Sequence, residues 1–370
     1  GDAALCSGFV KNGYPVELAR RRIALGCNWM SLPGLEYCMN DLVKVNFAKV
    51  FEVAWKAARC ESTEALYRAF AEHLQKAVHI TGQGIAFHLA HQWENEPELL
   101  LNLLSAGPIE TGLDASHGGA QYYNLAIDGA ALATVADVFT ALEQRVEREG
   151  LLTFDDIFCA TEFDFKDAPQ VQKLLALSEK YGNSERGDAW AQRIMRDFTD
   201  KVRAEAKHIP FVKPIFLIPG LFSWADTVRL GKSVGALPNG RRAGEPISQG
   251  ANPSVGFRRD GAVTAMAAAV ASVQPGYGNT APLQLEVDFG SLDIAQAASC
   301  LKTLIRSHFA LGGTLMNINV VDERQILAAS QDPEAYPDLI VRVTGFTAYF
   351  ANLSPDFRKL VLERIVRQAS

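Results

Sequence analysis

Apolar residues recur at three- and four-residue intervals through "NFAKVFEVAWKAAR" (46–59) and "TEALYRAFAEHLQKAVHI" (63–80). That period predicts amphipathic helices within a helical stretch from Asp41 to Ala106. Thr63, preceded by Glu61 and Ser62, marks a helix start. The same spacing predicts helices in "PVELARRRIA" (15–24), in "ALATVADVFTALEQRVEREG" (131–150, stopped by Gly150), in "APQVQKLLALSEKYGN" (168–183) and in "DAWAQRIMRDFTDKVRAEAKHI" (188–209). Between them lie a loop, "LGCNWMSLPG" (25–34), bounded by Gly26 and Gly34, and a glycine-rich turn region, "GLDASHGGAQYYN" (112–124).

After Pro210 the pattern changes. "FVKPIFLIPGLFSW" (211–224) reads as a buried strand punctuated by prolines, and "GALPNGRRAGEPISQGANPSVG" (235–256) as a long irregular stretch. Loops of that length in compact domains usually carry function. "LQLEVDF" (283–289), "GTLMNINVV" (313–321) and "DLIVRVTGFTAYF" (338–350) read as strands, with the helix "IAQAASCLKTLIRSHFAL" (294–311) between the first two. The arrangement is alternating α/β, with no internal repeat or linker that divides the chain. Gly345 interrupts the last strand pattern, and a glycine there costs stability, so it marks a bulge, a kink or a close backbone approach.

The chain has 370 residues, 48% hydrophobic and 21% charged, with a net charge of −6. These values suit a globular, cytoplasmic protein with surface enough to bury a core. They leave no basic footprint for nucleic acid, and no apolar stretch long enough to span a bilayer. The six cysteines, Cys6, Cys27, Cys38, Cys60, Cys159 and Cys300, have no paired spacing, so reduced thiols are expected.

Closed-shell chemistry has few candidates. His88 and His91 stand at helical i, i+3 spacing without a third metal ligand, so no metal site is assigned. "SHGGAQ" (116–121) reads as a tight turn before an anion cradle, and no dinucleotide fingerprint, phosphate loop or nucleophile elbow is present. Cys27 differs from Cys60 and Cys300, which fall in helical stretches, because it lies in a loop flanked by glycine and proline.

Cys27 and Gly345 together resemble the two reactive positions of the glycyl radical enzymes, the pyruvate formate-lyase superfamily. Arg342 to Phe350 is similar to that family's R-V-x-G-[FY]-x-A-x-F signature, and "LSPDFRKLVLERI" to the helix that follows it. "LPNGRRAGEPISQGANPS" resembles its P-[DN]-G-R-[KR]-A-G-E-P segment, "GGTLMNINVVD" the strand before the glycine loop, and "GGAQYYN" and "KYGN" smaller landmarks. "LCSGFVKNGYPVELARRRIALGC" resembles the approach to the cysteine loop.

The resemblance implies a fold and a chemistry. The fold is α/β: about half of a ten-stranded glycyl-radical-enzyme barrel with surrounding helices, the cysteine and glycine loops meeting inside it. Residues 1–310 would form the C-terminal portion of the barrel domain and 311–370 the glycine radical domain. A radical S-adenosylmethionine activase would install a radical on Gly345, with no cofactor bound by the chain itself. The stored radical would pass to Cys27 as a thiyl, which takes hydrogen from a small organic substrate in a dry pocket. Phe346, Tyr349 and Phe350 suit such a pocket, and ordinary strand packing explains them equally well.

Two departures shape the expectation. Many members carry a glutamate base two residues after the cysteine, where this chain has Trp29; pyruvate formate-lyase has two adjacent cysteines, where this chain has Gly26 and Asn28 beside Cys27. Trp29 is read as an apolar pocket wall or a core residue, and Asn28 as a group that orients a carboxylate or carbonyl. The missing glutamate favours C–C bond cleavage or formation. The alternatives are a C–X eliminase with its base from a partner chain, or a non-catalytic spare part or scaffold. The chain is also about half the family's length and begins with Gly1, which points to a piece of a longer enzyme or to one subunit of a split one. A second polypeptide, or a homo-oligomer, would then complete the barrel and cover its open edges.

Overall fold

The computed structural model describes residues 1–26, 28–58, 61–221, 226–258, 263–290, 292–343 and 346–369, without the side chains of 41 and 365–369. Cys27, Cys60 and Gly345 therefore lie outside the described residues.

Two helices, α1 (Asp2–Lys11) and α2 (Val16–Ala19), lead to an antiparallel hairpin, β1 (Ile23–Leu25) with β2 (Trp29–Ser31). Strand β3 (Glu36–Asn46) runs into α3 (Phe47–Ala57). The long α4 (Thr63–Asn95) and the short α5 (Leu99–Leu104) and α6 (Pro108–Thr111) then return the chain to β4 (Tyr122–Ala130). After it come α7 (Leu132–Leu142), α8 (Phe154–Glu162), α9 (Pro169–Ala176) and α10 (Glu185–Glu205), and then β5 (Ile215–Gly220). The C-terminal third holds α11 (Thr227–Lys232), α12 (Val263–Ser272), β6 (Leu283–Val287), α13 (Ile294–Ala310), β7 (Met316–Val320) and α14 (Glu323–Gln331). A second hairpin, β8 (Ile340–Arg342) with β9 (Thr347–Tyr349), and α15 (Pro355–Ala369) complete the chain.

Side-chain caps fix the helix starts that the sequence signalled. Ser62 accepts from the amide of Ala65 at 3.1 Å, and Asn46 from that of Lys49 at 3.3 Å. Asp293 and Gln296 form a reciprocal capping box at the start of α13.

The barrel part is a three-stranded parallel sheet, β3-β4-β5, and a two-stranded parallel sheet, β6-β7. Both faces of β4 are covered. Tyr123, Leu125 and Ile127 pack outward into the helical layer of α3, α4, α7 and α10, while Ala126 faces Trp29 and Ile218 on the inner side. Strand alternation places Asn124 and Asp128 on that same inner side.

Three expectations are corrected. The segment 41–46 is strand, not helix, because it continues the parallel ladder with β4 beyond a register shift between Met39 and Val43. The stretch 122–130, read as a turn leading to a helix, is the central strand. Buried on both faces, it shows no alternation to read. The pattern over 338–350 is two short strands, since β8 ends at Arg342, which pairs with Thr347 at the start of β9.

Among the described residues no helix is long and apolar enough to cross a membrane.

Candidate active site

The first hairpin pairs Leu25 with Trp29. Gly26 and Asn28 have φ of +44° and +78°, a left-handed backbone that Gly and Asn adopt most readily. The Asn28 amide donates to Leu25 O at 2.9 Å, and its carbonyl accepts from Thr280 Oγ1 at 3.4 Å. Trp29, 1% exposed, turns onto the inner face of the sheet. Its indole donates to Asn124 Oδ1 at 3.1 Å and packs against Ala126, Ile218 and the partly buried Phe216 and Cys38. Trp29 is thus a core residue on the inner side of the sheet.

In the second hairpin the Val343 amide donates to Phe346 O at 3.0 Å. Arg364 of α15 holds the end of β8. It donates to the carbonyls of Val343 (2.9 Å) and Arg342 (3.2 Å) and to Gln249 Oε1 (2.9 Å), and it pairs with Glu286 of β6 at 3.2 Å. Both side chains of that pair are at least 95% buried. Gln249 comes from the irregular stretch 235–256, which the buried Arg241 guanidinium organises through the carbonyls of Gly231 and Gly235 at 2.8 Å each. The long loop thus carries a polar side chain to the glycine hairpin. Phe350 is buried in a small cluster with Val341 and Val343, whereas Phe346 and Tyr349 are 43% and 47% exposed and do not enclose a dry pocket within this chain.

The inner faces carry buried polar groups. Glu36 accepts from Ser31 Oγ (2.7 Å), the Leu32 amide (2.9 Å) and Asn124 (3.3 Å), anchoring the end of the first hairpin. Burial holds its carboxyl above the usual carboxylate range against these hydrogen bonds. Burial, with Glu36 nearby, also pushes the Cys38 thiol up to about 12, which keeps it protonated and unreactive. Gln284, Glu286 and Asn317 line the second sheet.

The sequence reading missed Asn124, Asp128, Asn279 and Arg364. For β4 a signal existed: two polar residues, four apart, inside an otherwise apolar run. A cavity of about 550 Å³ lies elsewhere, between α15 and the loop 239–258, and neither Asn28, Trp29 nor Asp128 lines it. Among the described residues no group of three His, Cys, Asp or Glu side chains is placed to hold a metal. His91 bonds back to Phe87 O within its own helix at 2.7 Å.

The family model "Pyruvate formate lyase-like" matches residues 1–210, and "Glycine radical" matches 247–351. The trans-4-hydroxy-L-proline dehydratase of Clostridioides difficile is 27% identical over 311 residues, 82% of this chain and 38% of that protein. The isethionate sulfite-lyase of Desulfovibrio desulfuricans is 30% identical over 241 residues, 63% of this chain and 28% of its own. A glycyl radical enzyme structure from Archaeoglobus fulgidus superimposes with a TM-score of 0.89 at 27% identity, over 98% of this chain and 48% of that one. The chain thus spans less than half the length of the relatives it matches, and its five parallel strands are half of a glycyl radical enzyme barrel.

Proposed function

We propose, because this chain belongs to the pyruvate formate-lyase superfamily of glycyl radical enzymes, that it carries the radical-bearing half of a C–X eliminase acting on a small hydroxylated substrate. Dehydratases and sulfite-lyases among the relatives favour elimination over the C–C chemistry that the sequence put first. The observation that carries the reading is the match of 247–351 to the glycine radical family, supported by two hairpins, β1-β2 and β8-β9, each held by buried side chains.

In this reading a radical S-adenosylmethionine activase removes a hydrogen atom from Gly345. The Gly345 radical takes the hydrogen atom of the Cys27 thiol. The thiyl takes one from the substrate carbon that bears the hydroxyl, and a base takes the hydroxyl proton. The neighbouring C–X bond then breaks with its electron pair on X, leaving a carbonyl beside a carbon radical. Cys27 returns its hydrogen atom, and X departs as HX. Asn28 and Trp29 are pocket residues in this scheme. A second polypeptide, or the remainder of a longer chain, completes the barrel. Residues 311–370 form the glycine radical domain, supported by an apolar cluster drawn wholly from 321–362.

Anaerobic activation should give an electron paramagnetic resonance doublet that Gly345→Ala abolishes. Cys27→Ala should keep the doublet and lose release of water or sulfite from vicinally substituted alcohols. Full turnover in Cys27→Ala would favour the spare-part role instead, and C–C fragments as products would overturn the elimination reading.

A further inference from the structure

The irregular stretch 235–256 holds neither reactive position, yet it is pinned on both sides of Gln249. The Ser248 amide donates to Thr134 Oγ1 at 2.8 Å, and the Thr134 amide donates to Ser248 Oγ at 3.0 Å, which joins the segment to the start of α7. The Tyr181 hydroxyl donates to Ala251 O at 3.0 Å. The Asn252 side chain donates to the Gln284 carbonyl (2.7 Å) and accepts from the Gln284 amide (3.0 Å), a reciprocal pair that fastens the segment to β6. Gln249 stands between these anchors and is 9% exposed.

Both ends of the Gln249 side-chain amide are used at the end of β8. Its Oε1 accepts from Arg364 Nη1 at 2.9 Å, and its Nε2 donates to Val343 O at 3.4 Å. Arg364 Nη1 also donates to Val343 O, at 2.9 Å, so amide, guanidinium and carbonyl close a ring of three hydrogen bonds. Gln249 and Arg364 both line the cavity of about 550 Å³ between α15 and the loop. Close packing is absent on that side of the pair, and hydrogen-bond direction takes over its task. A side chain that only filled space could be apolar; one that spends donor and acceptor on a single target specifies an orientation. Gly345, outside the described residues, follows Val343 by two positions.

We infer that Gln249 is a positioning residue for hydrogen transfer between Gly345 and Cys27. It fixes the direction of the Arg364 guanidinium, and through it the direction in which β8 leads to Gly345. The 2.9 Å bond to Arg364 carries this more than the 3.4 Å bond to Val343, because a hydrogen bond weakens as it lengthens. The inference rests on the radical transfer of the proposed function. In that transfer the Gly345 radical takes the hydrogen atom of the Cys27 thiol: a C–H bond forms, the S–H bond breaks, and the unpaired electron moves to sulfur. The reverse step restores both groups. A misplacement of about 1 Å at such a reacting pair costs on the order of 10²-fold in rate.

The test follows the electron paramagnetic resonance doublet of the complete activated enzyme after transfer into D₂O. The thiol exchanges its hydrogen with solvent, so reversible transfer places deuterium on Gly345 and the wild-type doublet collapses to a singlet. Gln249→Met should still form the doublet, because Arg364 keeps its bonds to Val343, Arg342 and Glu286. Its collapse should be slower by roughly tenfold or more. Gln249→Glu keeps an acceptor for Arg364, and its collapse should stay within about threefold of wild type. If Gln249→Met forms no doublet, Gln249→Asn, whose amide is drawn back by one methylene, takes its place under the same expectation. Collapse at the wild-type rate in the variant measured overturns the inference, as does a Gln249→Glu enzyme equally slow. Absence of a doublet from both the Met and the Asn variant overturns it too, since Gln249 would then serve the fold or activation instead of transfer. A wild-type doublet that does not collapse overturns the radical transfer itself.

Discussion

The body of the protein and its glycine hairpin are held in place by different physics. In the body, Phe139 is fully buried and ringed by Trp190, Tyr67, Phe51 and Phe70, with centroids 5.0–5.7 Å away. The position of every element there follows from close-packed apolar volume. The hairpin region has only a small apolar cluster of its own, Ile326, Ala329, Val341, Val343, Phe350 and Val361. Its base is located by one guanidinium with four acceptors. Packing tolerates small adjustments, whereas hydrogen bonds fix direction. The proposed scheme, in which a backbone carbon meets a sulfur within a narrow range of distances, is better served by the second.

This contrast predicts where each substitution is felt. Phe139→Ala should destabilise the whole fold by about 3–5 kcal/mol, seen as a lower denaturant midpoint for the entire transition. Arg364→Met leaves Glu286 buried without its cation, a loss of about 3–5 kcal/mol, but the loss should fall on β8, β9 and α15. Amide exchange at Val343 should accelerate by roughly 10²-fold or more while amides of α7 stay protected, and the radical yield should fall. Adding Glu286→Gln to Arg364→Met should recover part of the loss; no recovery would show that the charge is not what matters.

A smaller effect is expected at Glu36. Because burial raises its folded value, ionisation is disfavoured in the folded state. The resulting penalty is absent below the ordinary carboxylate range, grows as pH rises through the raised value, and is constant above it. Denaturation of Glu36→Gln against wild type should therefore show a difference that shifts in favour of Gln with rising pH. A shift the other way would mean that the hydrogen bonds from Ser31 and Leu32 outweigh burial. Smallest of all, Asp356→Asn breaks an exposed bridge between Lys232 of the body and α15 (3.2 Å), and should change stability by about 0–1 kcal/mol. A loss as large as that of Arg364→Met would erase the distinction between the buried and the exposed attachment.

Much of the chain's organisation was legible without coordinates. The helices around 46–59, 63–80 and 188–209 declared themselves by period and cap. The irregular run 235–256 stood out by its glycines and prolines, and Gly345 by its misfit in a strand pattern. The structure ends β8 at Arg342 and begins β9 at Thr347, so the strand pattern breaks where the sequence marked an interruption. Strand β4 and helix α1 were missed for opposite reasons. The strand is apolar on both faces, and α1 carries only a weak apolar stripe, Leu5, Gly8 and Phe9.

The sequence alone determined much of the local grammar of this protein: the helices at 46–59, 63–80 and 188–209, the loop bounded by Gly26 and Gly34, and, by resemblance, the two residues proposed for radical chemistry. Only the tertiary structure decided which polar side chains meet. Asp128, Asn279 and Trp29 come together over one glycine, and Arg364 reaches Glu286 across 78 positions of sequence. The physical reason is that register between parallel strands is set by crossovers through whole helices. No period within a single segment records which face of its neighbour it will share.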